Sequence, residues 1–450
     1  MIAWELKTAE EAIAAGRNPD VMLTEGKVWP EKIIEVQPTG KDSGKIVWEW
    51  AVWDHLIQDY DSTKANYGDP AKNPQLVDLN YTLSDGRADW LHANAIAYNA
   101  KLDHIVLSVR SLSEIWIIDH STTTKEAASH SGGKSGKGGD LLYRWGNPAA
   151  YRAGTANDQT LFYQHDAHWI PDGLEGAGNM MIFNNGTGLG YSSVDEVVLP
   201  KPDAKGNYPM DKGVWGPSAA AWSYTANIKE EFYSQFVSGA QRLPNGNTLI
   251  CAGWNGYIFE VTAEGKTVWE YGNADATEGV AHQGALKGGN GMFRSPRYAA
   301  DYPGLKGRDL TPGEPIERHG SVLLVEGSTL AHRARPGTSV QFSLRAENHP
   351  GLGYLMATSA TQGILQLDFR FVRMGWDPIL AASIWMAAPS VFQNYSGSLD
   401  ANGRATAAVH IPNIPALVGV KLQNTFLVRD PQARGSVGMV SNTVVVEIDS

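Results

Sequence analysis

The sequence has little cysteine and no long apolar run. Cys251 is the only cysteine among 450 residues, so no internal disulfide can form. That composition fits a reducing compartment and equally an exported protein that needs no disulfide. No apolar stretch approaches the roughly 20 residues that a membrane-spanning helix requires. The first 20 residues also lack the basic and then apolar pattern of a secretory signal peptide.

Acidic residues outnumber basic residues in the sequence. The chain carries 37 Lys and Arg against 48 Asp and Glu, a net charge of −11, which argues against nucleic acid as a main partner. An anionic small substrate would therefore have to be met by a local positive site. Phosphate-binding glycine loops, nucleotide fingerprints and serine-hydrolase elbows are missing, and the segment GGKSGKGG follows no strand–helix pattern. We expect no cofactor.

The abundant residue types favour short strands. The chain has 48 Gly, 23 Pro, 15 Trp and 17 Tyr, which favours strands joined by tight turns over long helices. At 450 residues the chain exceeds one compact core, so two domains are expected. The predicted fold class is all-β.

A repeat organises the first two thirds of the chain. Three blocks align without gaps, and each is followed by a hydrophobic strand: LHANAIAYNA (91–100), QHDAHWIPDG (164–173) and VSGAQRLPNG (237–246). Their second positions, His92, His165 and Ser238, are spaced 73 and 73 residues apart. A weaker fourth copy, PRYAADYPGL, places Arg297 in the same position.

Repeats of four short strands are typical of β-propeller blades. The first strand of each blade lines the central channel, so the four equivalent residues are expected to converge on it. We predict a β-propeller over residues 1–315 and a β-sandwich over 319–450, where strands alternate at sandwich-like spacing. About four blades fit before residue 315, and the abrupt apolar start predicts that N-terminal blades are missing.

Four residues form the candidate site: His92, Asn94, Arg110 and His165. Positions 92 and 94 are expected on one side of a strand by its period of two, and Arg110 ends the neighbouring strand. Imidazole, amide and guanidinium groups together suit a tetrahedral oxyanion. By their register, Ser238 and Arg297 are expected to contact substrate.

Structural roles compete with this interpretation. A single histidine at a blade start commonly bonds a neighbouring backbone, and Arg110 could instead pair with Glu114. We expect His168 to face away from the channel, being an odd number of positions from His165. A metal site built from the histidines 92, 165 and 168 is disfavoured, because no carboxylate or cysteine stands at ligand spacing. Packing or solvent roles are the default for the histidines outside the register: His55, His104, His120 and His130.

Several segments together resemble the bacterial arylsulfate sulfotransferases over about residues 1–315. They include DWLHANAIAYN, HIVLSVRSLSEIWIID, LLYRWGNP, QHDAHWIPDG and SGAQRLPNGNTLICAG. The resemblance implies a six-bladed propeller that moves a sulfuryl group from a phenolic sulfate to another phenol. It implies a ping-pong mechanism through a sulfated histidine, without a nucleotide sulfate donor.

The resemblance also implies roles and surroundings. His165 matches the nucleophile, and His92, Asn94 and Arg110 match the sulfuryl-binding and proton-transfer residues. A further family histidine belongs to a stretch that would precede Ile2. Phenolic sulfates and phenols are the expected partners, the expected location is periplasmic or extracellular, and a homodimer is left open. Two other functions stay open: a non-catalytic propeller that binds an anionic or carbohydrate ligand, and a hydrolase that releases sulfate to water.

Overall fold

The computed structural model describes residues 1–20, 25–81, 87–275, 289–311, 322–325, 332–346, 349–367, 370–372, 374–432, 436–441 and 443–450. Within them the chain forms two compact units. The first comprises Met1–Tyr271 with Met292–Tyr298, and the second comprises Gly272–Gly291 with Ala299–Ser450.

Four antiparallel sheets follow one another in the first unit, and in each of them strands adjacent in sequence pair with each other. Sheet 1 consists of Ile2–Trp4, Glu31–Gly40 and Ser43–Ala51. Sheet 2 consists of Ala93–Asn99, His104–Val109, Glu114–Asp119 and Tyr143–Trp145. Sheet 3 consists of His165–Trp169, Met180–Asn184, Ser193–Val197 and Trp222–Tyr224. Sheet 4 consists of Gly239–Arg242, Thr248–Ala252, Tyr257–Val261 and Thr267–Gly272.

Short elements connect these sheets. Two further strand pairs are Lys7–Thr8 with Lys27–Val28 and the parallel pair Leu56–Ile57 with Val77–Asp78. The α-helices of this unit are Ala9–Ala14 and Thr124–Ala127, each begun by a threonine capping box. The 3₁₀ turns are Val52–His55, Pro70–Lys72, Arg110–Leu112, Pro148–Tyr151, Ala156–Asp158, Lys229–Glu231 and Gly253–Asn255.

Sheet 2 is buried on both faces, because its side chains alternate between two neighbouring sheets. Ile105 and Leu107 join a core that includes Trp50 of sheet 1. Val106, between them, joins a core that includes Ile182 of sheet 3. Sheet 3 packs in the same way on sheet 4 through a further core cluster. Successive sheets therefore stack face to face, as propeller blades do.

The first strands of these sheets lie next to one another. Strand Ala93–Asn99 contacts Ile2–Trp4 on one side and His165–Trp169 on the other, and His165–Trp169 in turn contacts Gly239–Arg242. The predicted all-β class is confirmed, and the stacking of the four sheets is compatible with a propeller. All three gapless repeat blocks supply the first strand of a sheet.

The prediction of a fourth repeat at residues 296–305 is wrong. Residues 296–305 contain no strand, and their only regular element is the 3₁₀ turn Pro303–Leu305. The block carries two prolines and a glycine but no alternating hydrophobic run, so it lacks the pattern that builds a strand.

Strict alternation also fails at the start of two repeat blocks. His92 precedes its strand and has a φ of +52°, and Asn94 is an extra residue in a β-bulge. A second bulge lies between His165 and His168. Because a bulge re-aims the side chains around it, the period-two arguments for 92 with 94 and for His168 do not hold.

The second unit is a pair of sheets. One has the order Val322–Val325, Ser339–Arg345, Arg404–His410 and Phe392–Gln393. The other has the order His332–Ala334, Val444–Ile448, Lys421–Arg429, Gly353–Ser359 and Ser396–Ser398, with Val437–Val440 also pairing with Lys421–Arg429. The remaining elements are the strand pair Leu365–Leu367 with Arg370–Val372, the helix Pro378–Ile384 and the turns Pro303–Leu305 and Pro415–Leu417.

One core joins the two larger sheets of this unit. Phe342 and Val409 of the first sheet cluster with Phe426 and Val446 of the second, which is the layering of a β-sandwich. The sequence boundary between 315 and 319 lies outside the described residues and stays a prediction. Of the helices within the described residues, none has the length and apolar character needed to cross a membrane.

Candidate functional site

His165 opens the first strand of sheet 3 and is only 3% exposed. Its Nδ1 lies 2.7 Å from Oδ1 of Asn185, a residue that directly follows the neighbouring strand. The amide nitrogen of Asn185 donates to the backbone carbonyls of Ser234 at 2.7 Å and Val237 at 3.0 Å. Carbonyls only accept hydrogen bonds, so the orientation of this amide is fixed.

The fixed amide selects one tautomer of His165. Because Asn185 presents its oxygen, the imidazole must donate from Nδ1, and the lone pair of the neutral ring is therefore on Nε2. No hydrogen bond engages Nε2 among the described residues. The arrangement leaves a neutral ring with one free, nucleophilic nitrogen.

Burial keeps this ring neutral. Desolvation lowers the pKa of His165 from 6.5 to about 3, and the charges of Arg110 and His92 lower it further. The hydrogen bond that His165 donates to Asn185 raises the pKa, as does the backbone of Tyr163, and both effects are outweighed. The backbone N–H of Arg110 donates to the carbonyl of His92 at 3.3 Å, and its guanidinium lies over the ring of Tyr163, two residues before His165. The structure therefore brings three of the four candidate residues into one neighbourhood.

Asn94, the fourth candidate, ties sheet 2 to the start of sheet 3. Its Nδ2 donates to the backbone carbonyl of Gln164 at 2.8 Å, and its buried Oδ1 has no partner among the described residues. The Gln164 side chain reaches back, donating to the carbonyl of Glu114 at 2.7 Å. One N–H of the Asn94 amide thus holds the backbone beside His165, and within the described part of the chain the other has no partner.

Arg110 is a cation without an anionic partner in the described part of the chain. Its guanidinium lies over the rings of Tyr163 and Phe236, 4.7 and 5.6 Å from their centroids. Burial lowers its pKa, but a guanidinium stays charged at any working pH. The alternative pairing with Glu114 is not what forms, because Glu114 makes a buried ion pair with Arg144 at 2.6 Å. A partly buried, unpaired guanidinium held by aromatic faces is suited to bind an oxyanion.

His92 is backed by two carboxyl groups. Its Nδ1 bonds Oδ2 of Asp89, and its Nε2 has no hydrogen-bond partner among the described residues. Behind them Glu31 is fully buried, accepting from the backbone N–H of Ala93 at 2.8 Å. Burial raises the pKa of Glu31 to about 8, and the charge of Asp89 adds to this. Glu31 is therefore protonated at neutral pH, and the carboxyl group in direct contact with His92 is that of Asp89.

Strained backbone clusters at the same place. His92, Tyr163 and Asp166 all adopt left-handed φ angles, +52°, +59° and +58°, which are unfavourable for residues with a side chain. Such conformations persist where the surroundings over-determine them, and they are enriched at functional sites. Two of the three flank His165 within two residues.

The two expected substrate contacts, Ser238 and Arg297, are both engaged by other groups. Ser238 is fully buried, and its hydroxyl bonds the oxygens of Phe236 and Ser234 at 3.0 and 2.8 Å and the N–H of Gly253 at 3.0 Å. Arg297 pairs at 2.5 Å with Glu260, which lies on the third strand of sheet 4. The structure thus offers neither group to a ligand at His165, because one is saturated internally and the other belongs to no first strand.

Arg294 reaches the site in place of Arg297. Its guanidinium bonds the carbonyl of Asn94 and the carboxylate of Asp166, both at 2.8 Å. Arg294 thus links the segment just before residues 296–305 to sheets 2 and 3. Unlike Arg110, it is neutralised by its carboxylate partner.

His168 takes no part in this cluster. Its Nδ1 bonds the backbone oxygen of Asp166 at 2.8 Å. Among the described residues the histidines 92, 165 and 168 do not form a group with metal-ligand spacing.

Asn185, Asp89 and Arg294 were missed by the sequence analysis. Asn185 had a usable signal: it follows the strand paired with the QHDAHW strand, and in a hairpin the end of one strand faces the start of the other. Asp89 lies three residues before His92 in a non-strand segment, and Arg294 is 200 residues from its partner Asn94, so neither has a periodic signal.

Comparison with known proteins identifies one family. The family model described as Arylsulfotransferase (ASST) matches residues 18–283, more than half of the chain. No curated protein sequence matches.

Solved structures give only distant similarities. A protein of unknown function from Bacteroides caccae is 13% identical with a TM-score of 0.25, and the match covers 54% of this chain and 58% of that protein, less than two thirds of its length. Virginiamycin B lyase from Staphylococcus aureus is 9% identical with a TM-score of 0.26, covering 91% of this chain and all of that one. Neither likeness carries an argument about fold or function.

The buried carboxyl of Glu31 predicts a pH-dependent stability. Because its pKa rises from 4.5 to about 8 on folding, the native state holds a proton that the unfolded chain releases between these values. Stability contributed by this group is therefore lost as pH rises through that window, by at most about 1.4 kcal/mol per pH unit. Glu31→Gln keeps an oxygen for the Ala93 N–H and removes the titration.

We expect Glu31→Gln to flatten the pH dependence of the free energy of unfolding between pH 4.5 and pH 8, measured by urea denaturation. The control is Glu25→Gln, which changes an exposed carboxyl group 4.0 Å from Lys27 Nζ. A Glu31→Gln protein with the same pH slope as the unmodified chain would contradict the buried, protonated state.

Proposed function

The chain belongs to the arylsulfotransferase (ASST) family, and we propose that it transfers a sulfuryl group between phenols through a sulfated His165. The observation that carries the proposal is the hydrogen bond from His165 Nδ1 to Asn185. It leaves Nε2 of a neutral, buried imidazole as the nucleophile. The proposed substrates are phenolic sulfate donors and phenolic acceptors, without a nucleotide donor.

In the first half-reaction Nε2 of His165 attacks the sulfur of the donor. The N–S bond forms, the S–O bond to the aryl group breaks, and the phenolate leaves with the electron pair. His92 in its imidazolium form supplies the proton to that oxygen from Nε2, while Asp89 at its Nδ1 stabilises the positive ring.

The second half-reaction reverses these steps. The acceptor phenol gives its proton to the now neutral His92, its oxygen attacks sulfur, and the S–N bond breaks. Both imidazoles return to their starting states, so atoms and charges balance over the cycle. One pocket serves both phenols in turn, which is a ping-pong scheme.

Arg110 and Asn94 are the proposed ligands of the sulfuryl oxygens. Sulfuryl transfer resembles phosphoryl transfer in its loose transition state, where charge on the equatorial oxygens needs fixed donors. Arg110 is suited because it has no competing anion among the described residues, and Asn94 has one uncommitted N–H. Tyr163 and Phe236, which hold the guanidinium, also provide aromatic surface beside it for a phenol ring.

The nucleophile is tested by intact-mass analysis. After incubation with a phenyl sulfate donor and no acceptor, we expect a sulfuryl adduct on the unmodified chain and none on His165→Ala. The matched control is His168→Ala, three residues along the same strand, which should retain the adduct.

A persistent adduct on His165→Ala would overturn the assignment. Absence of any adduct or turnover in the unmodified chain would favour the non-catalytic binding propeller instead. Sulfate release that an added phenol does not divert to a new ester would favour the hydrolase.

The oxyanion role of Arg110 predicts a ranking of variants. Loss of one preorganised oxyanion donor typically lowers the rate about 10²–10³-fold. We expect Arg110→Ala to lose that much in single-turnover transfer, and Asn94→Ala to lose less, because only Arg110 brings positive charge.

Arg110→Lys serves as the conservative control. It keeps the charge but not the planar fork, so its rate should fall between those of the unmodified chain and Arg110→Ala. A loss in Arg110→Ala no larger than in Asn94→Ala would contradict the assigned role.

A further inference from the structure

Three titratable side chains converge away from the His165 site. His55 ends the turn Val52–His55, and His130 and Asp140 lie in the loop after helix Thr124–Ala127. The Nδ1 atoms of His55 and His130 are 2.8 and 2.7 Å from Oδ1 of Asp140. Each side chain offers one potential metal-ligand atom, and these three atoms all lie within 4.8 Å of one another. Sequence analysis gave both histidines packing or solvent roles.

The hydrogen bonds of His55 place an acceptor atom, its Nδ1, against another acceptor atom, an oxygen of Asp140. Its Nε2 lies 2.8 Å from the backbone oxygen of Ala127, which can only accept, so Nε2 carries the hydrogen. In the neutral ring Nδ1 is then a bare lone pair, and it faces an oxygen of Asp140 at 2.8 Å. Two lone pairs at this distance repel, so a positive species must lie between them, either a proton or a metal ion.

The surroundings of His55 resemble those of a metal ligand. Histidines that bind metals usually donate the other ring N–H to a carbonyl or carboxylate, as Nε2 does here. Trp50 stacks on the ring at 5.6 Å and donates to the carbonyl of Gly139 at 2.7 Å. A side chain at Gly139 would come within 2.6 Å of Nε2 and 2.0 Å of the Ala127 oxygen, so the backbone encloses the ring.

The cluster is open on one side only. His55 is fully buried and the Asp140 side chain is 7% exposed, whereas the His130 side chain is 61% exposed. His130 also lines a cavity of about 480 Å³. An ion could therefore enter from solvent past His130 and keep a coordination position for water on that side.

We propose that His55, His130 and Asp140 bind one divalent transition-metal ion of the Zn²⁺ class. Two imidazoles and one carboxylate suit such ions, whereas Mg²⁺ and Ca²⁺ prefer oxygen ligands throughout. Tetrahedral ligands about 2.0–2.2 Å from zinc lie roughly 3.3 Å apart. The observed contacts need to lengthen by only about half an ångström to admit the ion. Three protein ligands and an open position match the pattern of a zinc site that keeps water.

The test is titration of the full chain with Zn²⁺ alone. The protein is stripped with a chelator, dialysed and followed by isothermal titration calorimetry, and we expect saturation at one ion per chain. His130→Ala and Asp140→Asn should each weaken binding by at least tenfold, since even supporting residues around a metal cost about 10–100-fold. His410→Ala, a histidine of the second unit, is the control and should bind as the unmodified chain does.

Folding does not confound this comparison. His130 is exposed, so its removal leaves no cavity in a core, and circular dichroism checks each variant. Replacing Zn²⁺ by Co²⁺ gives a second readout, because a tetrahedral site shows intense visible absorption that His130→Ala should remove. Absence of saturable binding, or equal binding by His130→Ala and the unmodified chain, would overturn the proposal in favour of a bridging proton.

Discussion

The site depends on the orientation of one amide. Asn185 donates to two backbone carbonyls, of Ser234 and Val237, and this leaves its oxygen for His165. If the amide were free to rotate, its nitrogen could face Nδ1, and the imidazole would then carry its hydrogen on Nε2 and lose its nucleophilic lone pair. Because a buried amide cannot abandon two carbonyls without a large penalty, the tautomer of His165 is set before substrate arrives.

The sheet arrangement supplies the other half of the site. Sheets buried on both faces cannot shift without disturbing two cores, so the first strands are held rigidly beside one another. Asn94 and Gln164 then connect sheet 2 to the start of sheet 3 by two hydrogen bonds at Gln164, the residue before His165. Rigid sheets with strained, bulged strand ends place polar groups that a regular strand could not.

The features that the sequence predicted correctly are mostly the periodic ones. The 73-residue spacing located the first strand of three sheets, because the repeated blocks carry a regular hydrophobic pattern. The neighbourhood of His92, Asn94, Arg110 and His165 was also predicted, although the period-two argument for it fails at a bulge. Arg297 was assigned to a repeat strand that does not form. Ser238 stands at the predicted repeat position, but its hydroxyl is bonded within its own loop, which equivalence of position in a repeat does not reveal.

Other features had no sequence signal. The raised pKa of Glu31 is a product of its burial. The position of the Arg110 guanidinium over aromatic rings, with no ion pair to the residues that the structure describes, follows from tertiary packing. The convergence of His55, His130 and Asp140 joins residues up to 85 apart, through a glycine-rich loop that resembles a flexible insertion in sequence. In the structure this loop is ordered around His55, whose ring is bonded by Asp140 and by the Ala127 carbonyl.

The account rests on a His165 that stays neutral, with Nε2 free, far below the usual pKa of histidine. The most direct test is the single-turnover rate of sulfated-enzyme formation, from a donor with a good phenolate leaving group, as pH falls below 6.5. With a pKa of about 3 for His165, the rate should be unchanged down to about pH 5. A rate that falls tenfold per pH unit below 6.5, about thirtyfold at pH 5, would show an ordinary solvated imidazole and contradict the account.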